Sequence, residues 1–319
     1  MSGYQELSHQ PVMLAEVLQF LQPENGGVYV DGTFGAGGYS AAILEAADCT
    51  LYGVDRDPEV EVFAERLRQK HAARFKLLNG NFAEMETLLA DAGVWKVNGI
   101  VLDVGVSSMQ LEAGQRGFSF QHDGPLDMRM DRQGVDAAHI VNHYAEKDLA
   151  HIIFTLGGER HSRQIARAIV EARAAQPITR TLELADIIKK TIRRYKDGID
   201  PATRTFQAIR IYINHELESL TTALQAAERL LVPGGKLVVV SFHELEDGIV
   251  KAFLAERSGK AQGTSRHLPL IEENIRKPSF KLLHKKAVLP GESEVRANIR
   301  SRSARLRAAE RTASPAWAA

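Results

Sequence analysis

The chain has 319 residues, 44% hydrophobic and 25% charged, enough apolar material for a sizeable core, and no apolar run approaches the ~18–20 residues of a membrane-spanning helix. Its single cysteine, Cys49, excludes an intramolecular disulfide framework and a cysteine-based zinc cluster. The net charge of zero conceals an asymmetry, 11 basic against 22 acidic residues through Ala150 and 29 against 18 from His151 onward. A basic second half suits a polyanionic partner, although solvated helix faces would leave the same pattern. The opening Met1-Ser-Gly-Tyr-Gln-Glu lacks the basic and apolar regions of a signal peptide, so the expectation is a cytoplasmic protein.

In chain order, Pro11–Leu21 has helical periodicity and leads through Pro23-Glu-Asn-Gly-Gly27 to a first strand ending Val28-Tyr-Val-Asp31. A glycine-rich loop, Gly32-Thr-Phe-Gly-Ala-Gly-Gly38, and a helix from about Ala41 follow. Leu51–Asp55 reads as a second strand, then a charged helix to about Lys70, a strand at Arg74–Leu78, a helix near Glu84–Ala92 and a strand at Gly99–Asp103. Strands alternating with helices predict a parallel, doubly wound sheet, in which ligands sit at the carboxyl ends of the strands. Asp31, Asp55, the turn at Asn79–Phe82 and Asp103 would line that rim.

The alternation stops at Val104–Asp136, a stretch rich in Gly, Asp, Met and Phe. From Ala137 to about Tyr195 the pattern is helical, with Thr181 an expected N-cap, and Gln176–Thr179 and Lys196–Pro201 reading as connections. One long helix is expected over about Thr203–Leu231, then a fifth strand at Lys236–Ser241. Phe280–Leu289 and Arg300–Arg307 are expected to pair as an antiparallel hairpin. The domains expected are therefore a first part of a sheet domain (1–109), a helical insertion (110–200) and a second part of the sheet domain (201–319).

The glycine loop followed by Asp55 reads as a nucleotide-like site. Glycines give close backbone approach, and an acid at the next strand end takes ribose hydroxyls. A tight turn in any α/β protein is the alternative. Glycines at 32, 35, 37 and 38 depart from the GxGxxG of dinucleotide enzymes and suit a ligand without phosphate, such as S-adenosylmethionine. Asp103, heading Asp103-Val-Gly-Val-Ser-Ser108, stands where amino-group methyltransferases face the reacting nitrogen, or is a capping carboxylate. In Arg116–Asp131, Phe118 and Phe120 would stack on a base or anchor the loop, and Asp127 would accept from an amine. Pro201–Arg210 offers an anion-binding helix start with Arg204 and Arg210, or an ordinary capped one. His243 and Glu246 read as site wall or capping, and no metal site is expected. Arg300 and Arg302 belong to a C-terminal arginine series that fits phosphate contacts.

VDGTFGAGG, VDRDP at 54–58, LDVGVSS, RGFSF, DGPLDMRMD, PATRTFQAIRI, PGGKL and SFHELED occur together and in this order. From about His9 to Arg311 the chain closely resembles the bacterial 16S ribosomal RNA cytosine-N4 methyltransferases, the ribosomal RNA small subunit methyltransferase H family, formerly MraW. Two departures are Tyr39, where the family has His, and Met109, where it has Pro. The resemblance implies a Rossmann-like class I methyltransferase sheet with an inserted all-helical domain, and S-adenosylmethionine contacts at Gly37, Gly38, Tyr39, Asp55, Phe82, Asp103 and Gln110. It implies as substrate a decoding-centre cytidine of 16S rRNA in the small ribosomal subunit.

For such a transfer Asp103 or Asp127 is expected to accept the N4 hydrogen, with Phe118, Phe120, Arg129, Arg204, Arg210, Arg300 and Arg302 toward RNA. A non-catalytic RNA-binding assembly factor is the alternative from another class, and a nicotinamide-dependent oxidoreductase on the same sheet is disfavoured by the missing GxGxxG. Oligomeric state is not legible.

Overall fold

A computed structural model of the chain describes residues 11–192, 195, 198–260 and 276–317. The N-terminal hexapeptide, His9 at the start of the resemblance, and Lys196–Asp197 of the expected connection lie outside these residues. The described residues divide into two compact units, one within 11–105 and 217–317 and one within 106–216.

The first unit begins with α1 (Leu14–Leu21), β1 (Val28–Asp31), α2 (Gly38–Ala46), β2 (Thr50–Asp55), α3 (Glu61–His71), β3 (Phe75–Asn79), α4 (Met85–Asp91) and β4 (Val97–Asp103). The second unit holds α5 (Ser108–Glu112), α6 (Ala137–His143), α7 (Glu146–Gly157), α8 (Ser162–Ala175), α9 (Thr181–Thr191) and α10 (Ala202–Asn214). The chain re-enters the first unit at the start of α11 (Glu216–Leu230), followed by β5 (Leu231–Ser241), α12 (Glu244–Arg257), β6 (Phe280–Leu282), α13 (Glu292–Ala297) and β7 (Arg305–Arg311). No helix among the described residues is long and apolar enough to cross a membrane.

In the first unit seven strands run in the order β3-β2-β1-β4-β5-β7-β6. β1 to β5 pair in parallel, and β7 runs antiparallel to both its neighbours. This is the class I methyltransferase sheet expected from the resemblance. The chain winds outward from β1 to β3, then returns to place β4 on β1's other side. The direction of winding reverses there, and the carboxyl ends of β1 and β4 flank the switch point. Val30, Val54, Ile100, Leu102, Leu237 and Val239 are buried and pack with Leu220, Ala223, Leu224 and Ala227 of α11. Burial on both sides explains why β4 and β5 read as continuous apolar runs.

Several elements differ from the sequence reading. The long helix is two, because His215 ends α10 in the left-handed conformation (φ 49°), its amide donating to Ile211 and Tyr212 carbonyls. The helical unit also runs beyond the expected 110–200, because α10 belongs to it. A Cβ on Gly157 at the end of α7 would lie 2.4 Å from the Arg204 carbonyl oxygen. The C-terminal pairing is shifted, with Phe280 opposite Arg311 and Leu282 opposite Ala309, while Val288 bridges Leu306. Arg300 and Arg302 lie in a 3-10 turn, Ile299–Ser303, that precedes β7.

In the second unit Phe118, Leu126, Met128 and Met130 join Ile140, Ile153, Ile165, Ile188, Phe206 and Ile209 in one core. Thr181 is the first residue of α9 and not its cap. Its hydroxyl accepts from the Gly124 amide, and Glu183 takes the amides of Thr179 and Arg180.

Candidate active site

Three carboxylates end three adjacent strands of the first unit, and each has a different environment. Asp31 is fully buried, its Oδ2 accepting from Ser40 Oγ at 2.7 Å and its Oδ1 from the Thr33 amide at 3.3 Å. Burial pushes its pKa up to about 6, against the pull of those hydrogen bonds. Asp55 accepts the amides of Gly35 (2.8 Å) and Asp57 (2.9 Å); burial still raises its pKa, with the amides opposing. Asp103 is held through its own amide, which donates to Thr33 Oγ1 at 2.7 Å. Its Oδ1 is shielded from solvent and finds no hydrogen-bond partner among the described residues. Burial drives the Asp103 pKa well above the carboxylate range, and the charges of Asp31 and Glu246 push the same way.

A buried carboxyl oxygen without a partner costs about 1–3 kcal/mol or more, so such an atom marks a place where a donor is expected. Thr33 links two of the three acids, one through its amide and one through its hydroxyl. The cluster gathers carboxyl groups whose ionisation burial holds back, a setting that favours the arrival of a cation or a hydrogen-bond donor.

The glycines of the loop have a structural reason of their own. Gly35 and Gly37 take positive φ (52° and 77°), with Gly37 the N-cap of α2. A Cβ on Gly37 would meet the Phe34 ring at 2.9 Å, and one on Gly38 would meet Pro11 at 2.3 Å. These two glycines are therefore already required by packing. Tyr39 is buried and donates its hydroxyl to the Val12 carbonyl, with burial and the nearby Asp103 raising its pKa. It ties α2 to the segment before α1. Phe82 is half-buried at the turn after β3, where Asn81 caps the turn and donates to Ser219 Oγ at 2.9 Å. His243 caps α12 in a reciprocal box with Glu246, which accepts the Phe242 amide at 2.8 Å.

In the second unit Gln110 is buried, its amide bonded to Ser107 Oγ and its Oε1 accepting the Ser107 amide in a capping box for α5. Asp127 has both oxygens occupied by Arg129, Oδ1 by the backbone amide and Nε and Oδ2 by a terminal nitrogen at 2.9 Å. Burial would raise the Asp127 pKa, but the Arg129 hydrogen bonds and charge outweigh it and hold the group below the usual range. Phe118 is buried in the core with the Arg116 guanidinium over its ring, so it anchors the loop and offers no stacking face. Phe120 is half-buried, edge-on to Phe206 with Lys189 over its ring.

Arg204 lies over Tyr195, 4.0 Å from buried Glu159. Arg210 forks onto Glu216 at 2.8 and 3.0 Å. Asp200, just ahead of the N-cap Pro201 of α10, takes the Ala202 amide at 2.9 Å. Both arginines already have acidic neighbours. Arg300 and Arg302 are exposed in the first unit. Among the described residues, no three His, Cys, Asp or Glu side chains gather as metal ligands.

Sequence reasoning missed what holds the aromatic and acidic loop. The Arg116 side chain donates to the Arg129 and Met130 carbonyls, and Asn214 donates to Met128 while accepting from the Met130 amide. Met128 is buried at φ 64°, a conformation a side chain keeps only when its surroundings enforce it. The loop is braced from both sides rather than lid-like.

The MraW methylase family model matches residues 6–312. The chain belongs to the MraW methylase family. It is 55% identical over 309 residues to the ribosomal RNA small subunit methyltransferase H of Paramagnetospirillum magneticum, covering 97% of each chain. It is 54% identical over 312 residues to that of Rhodospirillum rubrum (97% and 96% covered) and 55% identical over 308 to that of Azorhizobium caulinodans (97% and 88%). Family membership makes the strand-end acids of this methylase a candidate active site.

Proposed function

We propose that this MraW-family methylase transfers the methyl group of S-adenosylmethionine to the exocyclic N4 of a decoding-centre cytidine in 16S rRNA, on the small ribosomal subunit in the cytoplasm. The reading rests on the partnerless buried oxygen of Asp103 at the switch point. The relatives' shared name, which has them act on small-subunit ribosomal RNA, supports the substrate.

The residues of the first unit fit the cofactor. Asp55 keeps a carboxylate at the end of β2 for the ribose hydroxyls, Phe82 offers a half-buried ring for the adenine, and Gly37, Gly38 and Tyr39 form the start of α2 after the glycine loop. The acid cluster suits a ligand carrying a sulfonium and an ammonium. Gln110 remains a proposed further contact. The cofactor supplies an electrophilic methyl on sulfur, leaving as a neutral thioether that needs no protonation.

Cytosine N4 is a poor nucleophile because its lone pair is delocalised into the ring. Asp103 accepts an N4 hydrogen, orients the amine and lets the nitrogen pyramidalise. Its raised pKa means the carboxyl ionises fully only when positive charge or a donor arrives. Asp127, with both oxygens held by Arg129, is the weaker candidate for that role.

The test supplies methyl-labelled S-adenosylmethionine and small subunits from cells lacking this protein, then digests the RNA to nucleosides. Label in N4-methylcytidine, with or without a 2′-O-methyl group, is expected. Absence of label, despite demonstrated cofactor binding, would replace this reading with another acceptor or the assembly-factor role.

A further inference from the structure

At the β6 edge of the first unit's sheet lies a recess of about 140 Å³, lined by Lys251, Leu254 and Ala255 of α12, Lys260, Leu282 of β6, the turn His284-Lys285-Lys286, and Arg307 and Ala308 of β7. Of the ten described residues that line it, five are Lys or Arg and none is Asp or Glu. Arg307 is already committed, its guanidinium forking onto Asp247 at 2.6 and 3.0 Å, with Arg305 sharing that carboxylate. The four lysines have no hydrogen bond or ion pair among the described residues, and all four are exposed. Leu254, Ala255, Leu282 and Ala308 make an apolar floor under a cationic rim.

Size and charge together limit the occupant. Pockets for whole small molecules run to about 300–1,000 Å³, so this recess takes only part of something larger. Ammonium groups on flexible stems act as point charges without the planar fork that reads a carboxylate or base edge. Such a set suits the repeating phosphates of a nucleic acid backbone, which fix a protein's register without reading sequence.

We propose that this recess binds the sugar–phosphate backbone of the substrate ribosomal RNA at a second place, away from the strand-end acids. The inference rests on the rRNA reading above. Backbone contacts outside the reacting nucleotide contribute affinity and orientation, while the chemistry stays with Asp103.

The test changes Lys251, Lys285 and Lys286 together to Gln. None is bonded within the described fold, so the protein is expected to fold and bind S-adenosylmethionine as wild type does. A matched control changes Arg66, Lys70 and Lys76 to Gln on α3 and β3, at the opposite edge of the sheet. The readouts are the Kd for 16S rRNA at several salt concentrations and the KM and kcat for methylation of small subunits. Losing up to three phosphate contacts is expected to raise Kd about tenfold at 0.1 M salt and flatten the slope of log K against log salt by about 2. KM for subunits should rise with kcat unchanged, and the control should behave as wild type.

Wild-type affinity and slope in the recess variant would overturn the inference and leave the rRNA reading intact. An equal loss in the control would also overturn it, since it would reduce the effect to overall charge. Loss of binding to phosphatidylserine vesicles with rRNA binding untouched would assign the recess to a lipid surface instead. Failure of wild type itself to bind or methylate rRNA would bring down the substrate reading, and this inference with it.

Discussion

The amide of Gly35 donates to the Asp55 carboxylate at 2.8 Å, so the loop after β1 is fastened to the end of β2 by the acid proposed to hold the ribose. One side chain both shapes the loop and meets the ligand. Asp55→Ala is expected to weaken S-adenosylmethionine binding by about 10- to 100-fold, the range for charged hydrogen bonds. Asp55→Asn, which keeps one acceptor oxygen, should fall between. Titration calorimetry measures both, and an unchanged Kd in the alanine variant would remove Asp55 from the site.

Asp103 and Asp127 should separate in kinetics. Asp103→Ala is expected to lower turnover at least tenfold at saturating cofactor without lowering the melting temperature, because the lost oxygen has no partner in the fold and its burial is a cost. Asp127→Ala and Arg129→Ala should resemble each other, each lowering the melting temperature by removing the same half-buried pair. A tenfold loss of turnover in Asp127→Ala, not shared by Arg129→Ala, would move the proton-accepting role to Asp127.

Asp31 makes stability depend on pH in the less common direction for an acid. Its folded pKa is raised to about 6, so the folded state holds the proton more tightly than the unfolded chain. That stabilisation is fully present below about pH 4 and is lost as pH rises through 6. Two pKa units correspond to about 3 kcal/mol. Asp31→Asn should therefore gain on wild type as pH rises, by an amount of that order at pH 8, and lose the advantage below pH 4. Urea melts at pH 4, 6 and 8 would show it, and a difference independent of pH would mean that Asp31 titrates normally.

His215 holds a left-handed conformation at the junction of α10 and α11. A residue with a Cβ pays about 1 kcal/mol there. His215→Gly relieves that strain but adds freedom to the unfolded chain. The expected net gain is about 0.5 kcal/mol, read as a small rise in the urea midpoint, and a fall would show that the imidazole contributes contacts.

The sheet was legible because its strands are short β-branched runs ending on acids or turns. Asp31, Asp55 and Asp103 could be placed on one rim from spacing alone. Local pattern does not reach the helix break at His215, since a non-glycine residue in that conformation is enforced by tertiary contacts. Nor does it show that α10 belongs with α7, a partnership that depends on the bare Cα of Gly157 against the Arg204 carbonyl. In the sequence Asp127 reads as an acid that would accept from an amine, and Arg129 as a residue toward RNA. Only the fold shows that arginine turned back onto it, and Arg116 and Asn214 reaching in from 13 and 84 residues away.

The insertion of the helical unit after β4 also sets the order in which the molecule can be made. Gly99 pairs with Lys236 across the whole of that unit. A chain emerging from the ribosome has β1 to β4 long before β5 exists. During that interval β4 is an open edge with apolar faces, the kind of surface that recruits neighbouring chains. The interval lasts as long as the second unit takes to be synthesised, so crowding during translation is a hazard built into the gene's layout.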